Sequence, residues 1–160
     1  MKSYSAPWGK ILTIVSALMV ILALCTAFSS SFLPLAFPSW GLHLIRWALP
    51  AIVIACLPFV IRSYTIVGNE LQIRRLFWDT RLNLTELRSA TFSPKAINKS
   101  LRLCGNGGVF SFTGWYWNST LGIHRAFVTD PDRTVILRFK NKTVVVSPDN
   151  PSGFVEEINP

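Results

Sequence analysis

Apolar positions along this chain fall into two regimes. The first is continuous: Ile11 to Phe28 holds no charged residue, and Leu42 to Ile61 holds one, Arg46. A hydrocarbon core about 30 Å thick takes about 20 residues of helix. Both runs therefore predict membrane-spanning helices, over about 11–28 and 42–61, joined by the charge-free segment Ser29 to Gly41. The second regime, from Arg62 onward, is short and alternating. Tyr64 to Val67 meets the turn pair Gly68-Asn69, and Leu71 to Arg74 returns with side chains alternating in and out. Leu82 and Leu84 alternate with Asn83 after the turn at Asp79-Thr80, and Leu87 to Phe92 predicts a fourth strand before Ser93-Pro94. Leu101 to Leu103 reads as a short strand, Gly105-Asn106-Gly107-Gly108 as a flexible or tightly turned loop, and Val109 to Phe112 as a strand again. Arg125 to Thr129 is a strand stopped by Asp130-Pro131-Asp132. In the last hairpin Val135, Leu137 and Phe139 share one face and Arg138 and Lys140 the other, with Asn141-Lys142 turning the chain into Thr143 to Val146. Asn150 then caps a short helix that starts at Pro151 and ends around Ile158, its stripe of Phe154, Val155 and Ile158 suited to cover the open end of a sheet. Seven or eight short strands followed by one helix predict an antiparallel barrel or sandwich closed by that helix.

The flanks orient the first regime. Lys2 and Lys10 precede the first run, and Arg62, Arg74 and Arg75 follow the second. The positive-inside rule then puts both termini and the β domain in the cytoplasm and the loop 29–41 outside. Trp8, Trp40 and Trp47 fall near the expected interfaces. The first run is long for a signal core, and Ala-Phe-Ser-Ser after it is a poor cleavage site, so it is read as a retained span. Within the second run His43 and Arg46 share a helix face, with Arg46 placed to snorkel; Pro50 and Pro58 are expected to bend the helix. Ala23 with Ala27, and Ala51 with Ala55, have the small-xxx-small spacing that lets helices approach.

Charge adds one thing to this picture. The 160 residues carry a net charge of +8, yet all eight acids lie between Glu70 and Glu157, and thirteen of the sixteen basic residues lie from Arg62 onward. A basic domain beside a bilayer is attracted to anionic headgroups at roughly 1 kcal/mol per well-placed cation. Cys25, Cys56 and Cys104 have neither metal-site nor disulfide-framework spacing.

Candidate chemistry is sparse. The glycine cluster lacks a following Lys-Ser/Thr and leads into a strand, so it is not read as a phosphate loop. Asp130 and Asp132 read as a turn, and His124 has no visible acid and nucleophile beside it. The triplets beginning at Asn83, Asn98, Asn118 and Asn141 match the glycan acceptor pattern, which a cytoplasmic domain makes incidental. Three aromatics in a row, Trp115, Tyr116 and Trp117, cannot all face one core, which makes them the candidate partner-binding surface.

The runs Gly108 to Gly114, Leu121-Gly122, Arg125 to Asp130, Val135 to Leu137 and Val145 to Pro151, followed by Phe154-Val155, resemble the bacterial pleckstrin-homology-like (PH-like) domain family over roughly Ser63 to Ile158. That family is commonly preceded by a pair of membrane spans. The resemblance implies a strongly bent antiparallel β-barrel capped by one C-terminal helix, and no catalytic residues. Better-known pleckstrin-homology domains bind phosphoinositides through basic residues in the first strand loops. Here the Gly68-Asn69 turn is followed by Glu70 and holds no basic cluster. The expectation is thus an α+β membrane protein: a two-helix transmembrane hairpin in residues 1–62 and a mainly antiparallel β PH-like barrel with a C-terminal capping helix in residues 63–160. It is expected to be a non-enzymatic, multi-pass binding or scaffold module that meets a protein partner at the cytoplasmic face. The alternative is a sensor of anionic lipid through Arg74, Arg75, Arg81, Lys95 and Lys99. No cofactor, metal or nucleic acid is expected.

Overall fold

The computed structural model describes residues 2–28 and 39–159. All but the last three residues of the expected outer loop 29–41 lie outside the described residues. A four-stranded antiparallel sheet is ordered β1 (Lys2–Ser5), β2 (Ile61–Val67), β3 (Glu70–Arg75), β4 (Asp79–Asn83). A six-stranded sheet is ordered β5 (Leu87–Phe92), β9 (Val135–Phe139), β10 (Thr143–Val146), β8 (Gly122–Val128), β7 (Phe112–Asn118), β6 (Leu101–Gly107). Every pairing in it is antiparallel except β10 with β8. The helices are α1 (Lys10–Phe28), α2 (Ser39–Cys56) and α3 (Pro151–Ile158).

The central strands read as near-continuous apolar runs because the larger sheet is buried on both faces. Val135, Leu137, Val144, Val146 and Phe127 pack against Tyr64, Leu71 and Ile73 of the first sheet and Phe154 of α3. Ile136, Val145, Ala126, Val128 and Tyr116 pack on the other side under Ile97 of the loop after β5. Tyr64 joins the sheets: its hydroxyl donates to the Phe127 carbonyl at 2.7 Å and accepts from the Ser147 amide at 3.3 Å. The C-terminal helix forms as its sequence predicts. Asn150 Oδ1 accepts from the Gly153 amide, Pro151 opens the first turn, and Phe154 and Ile158 enter the core.

The N-terminal half departs from expectation at several points. Among the described residues one helix, α1, is long and apolar enough to cross a membrane, not two. The second apolar run does not stay helical to residue 61. With Pro58 in it, the chain turns into a 3-10 segment, Leu57–Phe59, and Ile61 is already a buried residue of β2. The expected boundary at 62/63 is crossed, because β1 from the extreme N-terminus pairs with β2 in the register Ser5 with Ser63 and Lys2 with Ile66. Tyr4 fixes that strand by donating to the Gly153 carbonyl and packing edge-on to Phe154. The two helices meet through Met19, Val20 and Ala23 of α1 and Leu49, Val53 and Cys56 of α2, whereas Ala51 and Ala55 face outward. Arg46 Nε donates to the Ala27 carbonyl at 2.7 Å, giving a backbone acceptor in the last turn of α1 a partner.

The glycine segment also differs. Gly105 to Gly107 continue β6, and Gly108 to Ser111 form the turn into β7 in place of the strand expected over Val109 to Phe112. Gly105 and Gly114 pair across β6 and β7 at φ +119° and +144°, and a Cβ on either would fall within 2.3 Å of the other strand's backbone. Only glycine lets the two backbones come that close. The turn beyond them reaches the helices. The Phe110 amide donates to Ser16 Oγ at 2.8 Å, and Phe110 and Val109 pack into the α1–α2 cluster, so the β domain and the helix bases are clasped together.

Candidate functional site

Period-two alternation along β8 places Ile123 and Arg125 on the same face as Phe127. Phe127 is fully covered by the first sheet, but Ile123 is 62% exposed. The register carries this face outward: Ile123 opposite Trp117 opposite Leu101, and Arg125 opposite Trp115 opposite Cys104. Leu101, Leu103, Trp115, Trp117 and Ile123 are all exposed. They extend the core-facing side of the larger sheet past the point where the smaller sheet covers it. β6 is also the edge of its sheet, whereas β5 at the other edge is closed by Asn159, whose side-chain amide bonds both the Ala90 amide and carbonyl. The expected aromatic trio is therefore split: Trp115 and Trp117 point outward and Tyr116 inward. The Tyr116 hydroxyl donates to the Asn106 carbonyl at 2.6 Å, and its burial pushes its pKa up to about 12. It stacks on the buried His124, whose Nδ1 lies 2.9 Å from the Gly122 carbonyl.

Where the core gives way to this open face stands a series of cations on rings. Arg125 lies 5.9 Å from the Trp115 ring and 4.9 Å from the Phe127 ring. Arg75 lies 5.0 Å from the Phe127 ring, 5.4 Å from Trp78 and 6.0 Å from Phe59. Each such contact is worth about 0.5–2 kcal/mol, more where water is excluded. Arg75 is only 7% exposed, and its Nε and Nη2 have no hydrogen-bond partner among the described residues. Burial, and then the neighbouring charge of Arg125, hold its pKa below the ordinary arginine value. Arg75 also lines a polar cavity of about 420 Å³ with Arg62, Ser63, Arg74 and Asp79.

The five expected headgroup residues fall in different places. Arg74 and Arg75 share that cavity, at the end of β3 where the helices join. Arg81 is exposed on β4 opposite Gln72. Lys95 and Lys99, both in the left-handed region, belong to the loop under the other face of the larger sheet, where Lys95 lies 3.9 Å from Asp132. Among the described residues no group of three or more His, Cys, Asp and Glu is placed to hold a metal. The sequence reading passed over Leu76, Phe77 and Trp78, three exposed apolar residues at the β3–β4 turn. Trp78 packs edge-on to Phe59 at the foot of α2.

A mainly antiparallel two-sheet β unit with a C-terminal helix fits a PH-like fold. The family model of the bacterial PH domain matches residues 62–160, and the chain belongs to that family. Membership points to a binding or scaffold module. Comparison with curated proteins and with solved structures gives no match.

Proposed function

We propose that this chain is a membrane-anchored, non-enzymatic binding module whose open β6–β8 face engages a protein partner on the cytoplasmic side. The observation that carries the reading is the continuity of that face with the core. Leu101, Trp115, Trp117 and Ile123 occupy positions that alternation assigns to an interior, yet nothing among the described residues covers them. Large apolar patches of this kind mark interaction sites, and tryptophan is enriched among the residues that dominate such contacts. The adjoining β6 edge offers unpaired backbone groups to an extended segment, so the partner is expected to add a strand and seat side chains against the tryptophans.

Anchoring is supported by the helices. α1 buries only Leu12, Ser16 and Ala23, while Ile11, Ile14, Leu18, Ile21, Leu22 and Leu24 are exposed. α2 leaves Leu44, Trp47, Ile52 and Ile54 outward. A bilayer satisfies the surface of α1, with α2 packed beside it and the basic flanks keeping the β domain inside. The experiment is a quantitative pull-down of the intact chain from mildly solubilised membranes, wild type against Trp115→Ala/Trp117→Ala. A partner recovered with wild type and reduced at least tenfold with the variant supports the reading. Equal recovery with both removes this face from consideration.

A further inference from the structure

We propose that the cavity between Arg62, Arg74 and Arg75 is a phosphate-binding site, taking the phosphate of an anionic lipid headgroup or of a soluble phosphate compound. Three arginines and one acid, Asp79, line it, together with Ser63. None of the three arginines is ion-paired among the described residues, where the ion pairs are Lys2 with Glu157, Lys95 with Asp132 and Arg133 with Asp130. Arg125 adds a further positive charge behind Arg75, across the Phe127 ring. A concentration of cations without matching carboxylates is unfavourable unless an anion joins it, and guanidinium groups match phosphate oxygens in pairs.

Arg75 gives the strongest indication. A guanidinium that is nine-tenths buried is normally hydrogen-bonded, because an unpartnered buried charge is costly. Here Nε and Nη2 have no acceptor among the described residues. The rings of Phe59, Trp78 and Phe127 hold the side chain in place at the wall of the cavity, where its uncompensated charge adds to those of Arg62 and Arg74. Exposed Arg62 and Arg74 form the mouth, supplied by β2 and by the residue of β3 paired with Ser63.

The site lies at the opposite end of the β2–β3 hairpin from the Gly68-Asn69 turn, directly below the 3-10 segment that ends α2. Exposed Leu76, Phe77 and Trp78 sit beside it on the β3–β4 turn. If anchoring is as proposed above, this end of the domain meets the headgroup layer, where lipid phosphate is the abundant anion. That assignment of source rests on the anchoring reading; the phosphate chemistry does not, and neither depends on the partner face.

The test uses the full chain in micelles of an uncharged detergent, titrated calorimetrically with inorganic phosphate and, separately, with short-chain phosphatidic acid. Arg62→Gln/Arg74→Gln carries two exposed substitutions, and its unfolding midpoint checks that the fold is kept. Arg88→Gln, at an exposed position of β5 away from the cavity, controls for the loss of a surface arginine. The expected result is saturable binding of phosphatidic acid, weakened at least tenfold in the double variant and unchanged in Arg88→Gln. Equal binding of inorganic phosphate would assign the site to a soluble phosphate compound, and binding of the lipid alone to the headgroup. No saturable binding of either probe, or equal loss in the Arg88→Gln control, would overturn the proposal.

Discussion

Tyr64→Phe removes one oxygen from the point where the two sheets are joined. The ring stays, so its packing against Phe154 at 6.5 Å is kept, but the Phe127 carbonyl loses a 2.7 Å donor and the Ser147 amide an acceptor, all in a fully buried site. Leaving such groups without partners costs about 1–3 kcal/mol. The hydroxyl also titrates. Burial pushes its pKa to about 12, with hydrogen bonds from Ser147 opposing the rise. An unfolded tyrosine ionises near 10, so the folded state holds the proton more tightly. Its contribution is complete below pH 10 and is lost as pH rises through 12. Two pKa units correspond to about 2.7 kcal/mol, of which about 1.4 is gone by pH 11. Phenylalanine has no such titration. Denaturant unfolding of the full chain in uncharged micelles, followed by tryptophan fluorescence, should therefore show the variant about 1–3 kcal/mol less stable at pH 8. The gap should shrink by about 1.4 kcal/mol at pH 11. A gap that stays constant between the two pH values would refute the claim that the hydroxyl is desolvated between the sheets. A variant as stable as wild type at pH 8 would refute its role as the bond joining them.

Three further outcomes follow from the same structure. Phe110→Ala empties the wedge between α1 and α2 and should cost about 3–5 kcal/mol, read as faster hydrogen exchange at the β6–β7 turn and in the first turns of α1. Unchanged exchange would show that the clasp is not there. Gly114→Ala places a methyl 2.1 Å from the Cys104 carbonyl. It should lower the unfolding midpoint and expose β6 to protease, while Gly68→Ala, with open space around it but φ +54°, costs only about 1–2 kcal/mol. Trp117→Ala, at an exposed position, should change stability by less than about 0.5 kcal/mol yet reduce partner recovery, which separates binding from folding.

Strands β3 and β9 were legible from their own alternation, and the last hairpin and the Asn150-Pro151 cap formed as their residues dictate, whereas Asp79-Thr80, expected as a turn, opens β4, and Val109 to Ser111, expected as strand, lies in the turn before β7. What failed depended on distant pairing. Lys2–Ser5 has nothing in its four residues to mark a strand; only β2, some sixty positions on, makes it one. The glycines at 105 and 107 suggest a loop locally, but Gly114 on the partner strand requires them to be extended and close. The site was half legible. Arg74 and Arg75 are indistinguishable by type, yet the alternation begun by Leu71 and Ile73 already points Arg75 inward and Arg74 out. The tryptophan pair was visible as a surplus of aromatics. That the smaller sheet stops short of it was not visible, since coverage depends on how the two sheets overlap rather than on either strand.

The central claim is that the face bearing Trp115 and Trp117 is covered by a protein. The most direct test places a photoactivatable residue at Ile123, in the same cross-strand row, and irradiates intact membranes. The account predicts a discrete protein adduct that disappears when Trp115→Ala/Trp117→Ala is introduced. Adducts to lipid alone, or a protein adduct indifferent to the two tryptophans, would contradict it.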